Sequence, residues 1–405
     1  MHTHRPHPGV CVIELVPRRA GLGALLLAGL LLGTLAAAAQ PAVANPMLLV
    51  LDPLKEETGL KDQPGVTALS QSAHFHHGPV PYAISYHVRT DPKKPGEALW
   101  TEGYLGMPGP VSCNWYGGGF LFLSVNGKDV GRTPRSSMGA AETAGRGILD
   151  LVWRLDVADV RIRLVGLPGQ DFLICEIALE PKQALTSIQL EARCFPSFFT
   201  SWFKRTGARR VQTPATLVKE GETRHLPAAG NAWLLYYDEV FDVARGEGEG
   251  PCAMLLLPEN VTDMVCAPGG YAVSTRLTVA PATRRLRLAF WDFRGKTNAE
   301  ALARLQRGAA DVQRLLAGAD FTPAALATFD VAAARKELQE ALAQEAVRKL
   351  LDKQQLAEAQ AWTEQTGALP PAASIAGQEQ LLGVAERFGR VIWHVRLARL
   401  VAELP

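Results

Sequence analysis

The stretch FLFLSVNG, residues 120–127, decides the fold class. An apolar and aromatic run leads into Asn126-Gly127, the pair that most readily adopts the positive φ angles of a two-residue hairpin turn. We therefore predict a strand that ends at Val125 and folds back on itself as an antiparallel hairpin.

The same pattern continues on both sides of this hairpin, from Pro79 to Phe293, as short alternating or apolar runs separated by Gly, Pro and Asn turns. Such spacing is typical of an antiparallel β protein. Residues 160–164 and 286–288 alternate apolar and basic side chains, which predicts one face in a core and one in water. Further candidate strands are residues 82–88, 172–179, 187–192, 232–237, 253–257 and 272–279.

These strands outnumber the roughly seven of an ordinary sandwich. We therefore expect a mainly β protein, a large antiparallel β-sandwich or two stacked sandwiches of supersandwich type, followed by a C-terminal α-helical region. The predicted divisions are a signal peptide at 1–44, an N-terminal extension at 45–78, the β-sandwich at 79–296 and the helical region at 297–405.

The change to helical spacing follows Phe293. Thr297 with Glu300 forms a capping-box pattern, and an apolar stripe then runs to Gly318. Residues 330–366 are rich in Ala, Gln and Glu and predict one long helix. The last segment has an apolar stripe, which we expect to pack on that long helix or on a second chain: Leu381, Val384, Phe388, Val391, Val395 and Ala398.

The beginning of the chain has the composition of a targeting segment. Arg5, Arg18 and Arg19 precede residues 20–39, which are apolar and uncharged, and Ala42-Val43-Ala44 supplies the small residues of a cleavage site. We predict cleavage after Ala44 and export to the periplasm or the extracellular space. The alternative is an uncleaved anchor, since an apolar run of about 20 residues can span a bilayer.

Charge and motif content exclude several classes of function. The formal net charge is only +2 with mixed signs, so nucleic acid is not an expected partner. No second apolar run approaches membrane-spanning length, so we expect no membrane association after cleavage. The sequence has no P-loop, dinucleotide fingerprint, His-Glu-x-x-His or paired Cys-x-x-Cys, and it therefore predicts no cofactor.

The cysteines allow two disulfides in an oxidising compartment. Cys252 and Cys266 lie symmetrically about a turn at 258–260, and Cys175 and Cys194 lie symmetrically about 184–185. A hairpin at either place would set the two cysteines opposite each other. The alternative is that these residues are small buried hydrophobes, and Cys113 is expected to be buried.

Three histidines form the predicted metal candidate. His74 and His76 would share one face of a strand, and His87 lies on the next candidate strand. Two imidazoles at this spacing can hold a divalent metal if a third ligand reaches them. The alternative is a solvated histidine-rich turn.

Aromatic and acidic residues form the predicted sugar site. On a strand, Trp233, Tyr237 and Glu239 would share one face and Asp238 the other, and Asp292 lies between two aromatics. Rings stack on sugars, whereas carboxylates accept hydroxyl protons or perform acid–base chemistry. The alternative is that the rings are core and the acids are solvated.

Two loops complete the set of ligand candidates. Trp115 and Tyr116 precede a glycine run and have the same aromatic character as the sugar site. Arg205 and Arg209 belong to an aromatic and cationic loop, where Arg forks could hold an anionic glycan or phosphate. The alternative for both loops is ordinary solvated surface.

These features favour an exported protein that binds carbohydrate or a cell-envelope glycan. A second hypothesis is a glycan-processing enzyme that uses Asp238, Glu239 and Asp292. A third is a structural or assembly protein whose last helix, through the stripe from Leu381 to Val395, binds a protein partner. The architecture resembles in outline the large β-sandwiches of sugar epimerases and polysaccharide lyases, without a residue-by-residue match to their catalytic motifs.

Overall fold

The computed structural model describes residues 48–60, 63–76, 78, 81–94, 96–100, 114–115, 120–143, 146–195, 207–240, 250–270, 272–321, 331–364 and 373–403. The predicted signal peptide at 1–44 lies outside these residues, as do Cys113, Tyr116 and Arg205.

Strands make up the first part of the described chain. In order they are β1 Leu48–Leu51, β2 Lys55–Leu60, β3 Gln63–His76, β4 Tyr82–Thr90, β5 Ala98–Trp100, β6 Asn114–Trp115, β7 Leu121–Val125, β8 Lys128–Asp129, β9 Ser137–Thr143, β10 Arg146–Arg154, β11 Ala158–Gly166, β12 Phe172–Pro181, β13 Ile188–Phe195, β14 Arg209–Gln212, β15 Leu217–Lys219, β16 Arg224–Leu226, β17 Trp233–Asp238, β18 Cys252–Leu256, β19 Val261–Pro268, β20 Val273–Val279 and β21 Arg285–Asp292.

Helices follow the strands. The α-helices are α1 Asn298–Gly318, α2 Val331–Ala343, α3 Glu345–Leu350, α4 Lys353–Glu364 and α5 Ile375–Ala402, and two short 3-10 turns lie at Val130–Arg132 and Pro258–Asn260. Among the described residues, no helix is both long enough and apolar enough to cross a membrane.

The described strands form three antiparallel sheets. The nine-stranded sheet has the order β15-β14-β17-β18-β21-β12-β11-β10-β9, and the seven-stranded sheet has the order β16-β19-β20-β13-β7-β8 with β6 on β13. The N-terminal sheet, β1-β3-β4-β5 with β2 on β3, includes much of the segment predicted as an extension. The inward faces of all three sheets share one hydrophobic core, and the predicted mainly β fold with a helical C-terminus is confirmed.

The hairpin predicted from FLFLSVNG is confirmed. Val125 pairs with Lys128, and Ser124 pairs with Asp129. Asn126 and Gly127 between them have φ angles of 50° and 74°. Both turn residues are therefore left-handed, as a type I′ turn requires.

The nine-stranded sheet is buried on both faces along strands β10, β11, β12 and β18. Its outer face packs against helix α1, where Leu305 and Val312 meet Leu235 and Trp291. The capping box predicted at Thr297 and Glu300 is confirmed and starts this helix. The helix approaches so closely that a Cβ added to Gly308 would lie 2.8 Å from the Trp291 ring.

The prediction that residues 160–164 alternate between core and water is wrong. Arg161 and Arg163 are 3% and 0% exposed because the helical layer covers the outer face of the sheet. Their charges are satisfied inside the protein, as Arg163 forms a two-pronged contact with Asp150 and Arg161 binds Glu176.

The prediction of one long helix over residues 330–366 is also wrong. The described part of the segment forms α2, α3 and α4, because Gln344 and Leu351 adopt extended backbone angles. Asp352 then restarts the helix by accepting a hydrogen bond from the Gln355 amide at 2.8 Å.

The apolar stripe predicted on the last helix lies within the protein. Phe388, Val391, Val395 and Ala398 of α5 pack against residues of α2, α3 and α4. These four residues of the stripe are therefore buried within the protein.

Candidate functional site

The candidate site lies on the outer face of the seven-stranded sheet, where strands β7, β13 and β20 are adjacent. Glu191 is directly opposite Phe122 on one side and Arg276 on the other. The alternate residues Leu123, Leu190 and Leu277 are buried in the core. Because side chains alternate along a strand, Phe122, Glu191 and Arg276 project away from that core.

Glu191 is the centre of a hydrogen-bonded group. Its Oε1 accepts hydrogen bonds from Arg193 Nη2 at 2.8 Å and from Ser274 Oγ at 2.7 Å. Arg276 Nη2 lies 3.8 Å from Oε2. The Arg193 guanidinium also lies 4.7 Å from the centroid of the Phe122 ring, which is a cation–π distance.

These contacts keep Glu191 ionised. Partial burial raises its pKa, but the hydrogen bonds from Ser274 and Arg193 and the charges of Arg193 and Arg276 outweigh burial, and the pKa is lowered overall. A general acid or base works best with a pKa near the operating pH. Glu191 is therefore suited to accepting hydrogen bonds from a ligand rather than to transferring a proton.

A cavity of about 270 Å³ lies over this group. It is lined by Phe122, Leu123, Ser124, Asp129, Gln189, Glu191, Arg193 and Arg276. The two acidic and two basic groups cancel in formal charge. The lining thus offers an aromatic ring together with both donors and acceptors of hydrogen bonds, and its volume is near the lower end of the roughly 300–1,000 Å³ of small-molecule sites.

Strand β17 does not present both of the predicted aromatic rings to solvent. Trp233 is buried in the cluster that helix α1 forms with the nine-stranded sheet, and Tyr237 packs against the same cluster. The ring of Trp233 is buried, whereas that of Tyr237 is only partly buried. Trp115 lies on β6, away from this strand.

The predicted acids do not come together. Asp238 and Asp292 are 3% and 2% exposed and lie at the inner face of the nine-stranded sheet, on strands that β18 separates. Glu239 is exposed and forms an ion pair with Arg210 at 2.9 Å. A shared acid–base site of these three residues is not supported.

Arg209 was predicted to lie in a ligand-binding loop, and this is wrong. It is the first residue of β14, is fully buried, and lies opposite Asp238 with Nε 3.4 Å from Oδ1. Its guanidinium belongs to an internal ion pair and does not face solvent.

The three histidines do not share a site. His74 lies opposite Ala83 and its Nε2 is 3.2 Å from Asp52, whereas His87 lies opposite Ser70. The two registers differ by four residues, or about 14 Å along a strand. Among the described residues, no group of three His, Cys, Asp or Glu side chains could hold a metal.

The two predicted disulfides each required a hairpin between the paired cysteines, and the prediction of these hairpins is wrong. Cys252 and Cys175 lie in the nine-stranded sheet, whereas Cys266 and Cys194 lie in the seven-stranded sheet, because the chain crosses between the sheets at each turn. All four residues are buried thiols rather than disulfides. Burial raises the pKa of the Cys266 thiol to about 11. Burial, and to a smaller extent a hydrogen bond with Cys252, raises the pKa of the Cys194 thiol.

The residues of the cavity were missed in the sequence analysis. Residues 187–192 were predicted as a strand, and the alternation of Gln189, Glu191 and Arg193 would have placed all three on one outer face. The sequence does not show that Phe122 and Arg276 flank Glu191, because those residues come from strands distant in the chain.

No protein-family model matches this chain, and no curated protein sequence matches it. Among solved structures, the fold is similar to a heparan sulfate lyase mutant from Pedobacter heparinus, with 7% identity and a TM-score of 0.31 over 53% of this chain and 34% of the lyase. This chain therefore spans about a third of the length of that lyase.

Two further solved structures are similar. One is a protein assigned as an aldose 1-epimerase from Klebsiella pneumoniae, with 9% identity and a TM-score of 0.38 over 65% of this chain and 95% of that one. The other is an α-N-acetylgalactosaminidase from Bifidobacterium bifidum, with 10% identity and a TM-score of 0.37 over 68% of this chain and 41% of that one. These neighbours are carbohydrate-active proteins. At TM-scores this low, the similarity gives no argument for a shared activity.

Proposed function

We propose that this protein binds a saccharide in the cavity on the outer face of the seven-stranded sheet. The observation that supports the proposal is the Phe122–Glu191–Arg276 row with Arg193 beside it. A sugar ring has an apolar face and a rim of hydroxyl groups, each of which both donates and accepts hydrogen bonds. The row offers an apolar ring, a carboxylate acceptor and guanidinium donors within one small cavity.

Binding is favoured over catalysis by the state of Glu191. Its contacts with Ser274 and Arg193 lower its pKa, so it carries a negative charge at neutral pH. The balanced charge of the lining favours a neutral sugar over a strongly anionic one. The cavity volume of about 270 Å³ suits one or two sugar residues.

The test is a glycan-array screen followed by titration calorimetry with the best ligand. Glu191→Gln keeps the shape of the side chain but removes its charge, and a charged hydrogen bond contributes about 1.5–3 kcal/mol. We therefore expect the variant to bind about 10 to 100 times more weakly.

The matched control is Glu259→Gln, which changes an exposed glutamate on the 3-10 turn at Pro258–Asn260. It should bind the ligand as tightly as the original protein. Equal affinity of the Glu191→Gln variant for every bound saccharide, or no saccharide binding by the original protein, would contradict the proposal.

We also propose that the protein acts after export, in the periplasm or outside the cell. The support is the uncharged apolar run at 20–39 followed by Ala42-Val43-Ala44. N-terminal sequencing of the secreted or periplasmic protein should begin near Asn45. Recovery of the intact apolar run in that fraction would refute cleavage.

A further inference from the structure

The carboxylate of Glu191 has two oxygen atoms in different surroundings. Oε1 accepts hydrogen bonds from Arg193, with Nε at 3.2 Å and Nη2 at 2.8 Å, and from Ser274 Oγ at 2.7 Å. Oε2 lies 3.8 Å from Arg276 Nη2, and no described residue donates a hydrogen bond to it. Because 3.8 Å is too long for a hydrogen bond, Oε2 keeps its capacity to accept one.

Arg276 likewise keeps its donors. Its side chain is 55% exposed, against 18% for that of Glu191. Within the described part of the chain, its guanidinium donates no hydrogen bond. Since a guanidinium has five N–H donors in a planar fork, the gap between Glu191 Oε2 and Arg276 Nη2 places a charged acceptor beside a charged donor.

The width and the charges of this gap select the chemical group that fits it. One oxygen atom can lie about 2.8 Å from both Oε2 and Nη2, because these two atoms are only 3.8 Å apart. A hydroxyl group can donate its proton to the carboxylate and accept a hydrogen bond from the guanidinium. A carboxylate or phosphate group would be repelled by Glu191, and an ammonium group would be repelled by Arg276.

Arg193 fixes the position of the gap relative to the aromatic ring of the cavity. Its guanidinium binds Glu191 Oε1 and lies 4.7 Å from the centroid of the Phe122 ring. Phe122, Glu191 and Arg276 lie opposite one another on β7, β13 and β20, and adjacent strands are about 4.8 Å apart. A pyranose in contact with Phe122 therefore brings a hydroxyl group of its rim to the gap.

We infer that one hydroxyl group of the bound saccharide bridges Glu191 Oε2 and Arg276 Nη2, and that Arg276 is a specificity-determining residue. The inference rests on the proposed saccharide site and adds the feature of the ligand that this site selects. The selected ligand is a neutral sugar with a hydroxyl group at one position of the ring. It is preferred to the sugar that lacks this hydroxyl and to the epimer in which the hydroxyl points to the other side.

Monodeoxy sugars test the bridge. The probes are the methyl glycosides of glucose, galactose and mannose, each with its full set of monodeoxy derivatives, titrated by calorimetry or NMR. For the glycoside that binds best, we expect one monodeoxy derivative to bind about 10 to 100 times more weakly, because it loses its hydrogen bonds to two charged groups. The other derivatives of the same glycoside should lose less affinity.

The variant Arg276→Met assigns the lost affinity to this residue. It should weaken binding of the parent glycoside by about tenfold or more. It should leave binding of the critical monodeoxy derivative nearly unchanged, because that derivative has no hydroxyl group to form the bridge.

The matched control is Arg224→Met, which removes an arginine on β16 of the same sheet. Its side chain is 58% exposed and pairs with Glu222. Because Arg224 does not line the cavity, this variant should bind every glycoside as the original protein does. Circular dichroism confirms that both variants are folded.

Two results would overturn the inference and leave the proposed function standing. One is a set of monodeoxy derivatives that all bind as tightly as the parent glycoside. The other is a loss of affinity in Arg276→Met that is absent, or that is the same for the parent and every derivative. Binding of none of these glycosides also overturns the inference, whereas the proposed function fails only if the glycan array finds no ligand either.

Discussion

Each of the two large sheets has a row of polar and charged side chains across adjacent strands of its outer face. One row is covered by helices, and the other is open to solvent. On the nine-stranded sheet, Asp150, Arg163, Glu176 and Arg287 lie opposite one another along four strands, beneath the helical layer. On the seven-stranded sheet, the row of Phe122, Glu191 and Arg276 is open and lines a cavity.

The comparison shows that the presence of a helical layer, rather than the residue types, decides whether such a row is structural or can bind a ligand. We call the row on the nine-stranded sheet the covered row and the row on the seven-stranded sheet the open row. In the covered row, the guanidinium groups also bind the end of α1 and the residues after it. Arg287 donates to the carbonyl oxygens of Leu316 and Ala317, and Arg163 donates to that of Phe321. The covered row therefore joins sheet to helix, whereas the donors and acceptors of the open row can face a ligand.

The largest expected effect is in the covered row. Arg163→Met removes the guanidinium that binds Asp150 through two nitrogen atoms at 2.6 and 2.5 Å. It leaves Asp150 as a buried charge without this partner, so we expect a loss of about 3–5 kcal/mol in the free energy of unfolding. Denaturant titration measures it.

The double variant Arg163→Met with Asp150→Leu serves as the control, because it removes both charges. It should recover much of the lost stability. If Arg163→Met alone unfolds at the same denaturant concentration as the original protein, the covered row does not stabilise the contact between sheet and helix.

The second prediction compares the buried and exposed faces of α5. Phe388 is fully buried and its ring lies 5.0 Å from that of Trp362 in an edge-to-face contact. Phe388→Ala should cost about 3–5 kcal/mol of unfolding free energy. Leu397→Ala, on the exposed face, should cost less than about 1 kcal/mol. Equal costs in a denaturant titration would show that the two faces of this helix are not distinct.

The third prediction concerns the contact between helix α1 and the sheet beneath it. Gly308→Ala places a methyl group 2.8 Å from the Trp291 ring. That ring is buried and also contacts the rings of Phe172 and Phe293, at centroid distances of 5.7 and 5.1 Å. We expect a loss of about 1–3 kcal/mol in a thermal or denaturant melt.

The control for this contact is Gly318→Ala at the end of the same helix, where an added Cβ meets nothing within 4 Å. It should be neutral or slightly stabilising, since alanine favours the helix. A loss at Gly318 as large as that at Gly308 would assign the effect to helix formation and not to the contact with Trp291.

The smallest expected effect is in the open row. Glu191 and its partners are partly exposed, so Glu191→Gln should change stability by only about 0–1 kcal/mol. Because the pKa of Glu191 is lowered in the folded protein, its contribution is present above the ordinary glutamate pKa and is lost as the pH falls through the folded value. In denaturant titrations, the free energies of unfolding of the variant and the original protein should therefore differ at pH 7 and converge in strong acid. A difference that grows as the pH falls would contradict this prediction.

Local features of the fold were predictable because they depend on neighbouring residues. Asn126-Gly127 adopts positive φ angles wherever it lies between two strands, and Thr297 with Glu300 caps a helix through contacts only three residues apart. The alternation of apolar side chains likewise identified most of the strands and the buried stripe of α5.

The functional surfaces depended on which elements became neighbours. Arg163 and Arg193 both lie in alternating strands, but helix α1 and the residues after it cover the first, and the second remains open. The sequence pattern predicts Trp233 and Tyr237 as sugar-binding rings, because it does not show that α1 packs against this face of β17.

The sequence by itself determined the antiparallel strands, the change to helices near Asn298 and the amphipathic last helix, since these follow from backbone preferences and the spacing of apolar side chains. The tertiary structure alone decided which sheet face the helices cover, and therefore which charged row is buried and which lines a cavity. It also decided that the turn at Pro258–Asn260 crosses between sheets, which separates Cys252 from Cys266. These outcomes depend on packing between residues far apart in the chain, where burial of apolar surface outweighs any local preference.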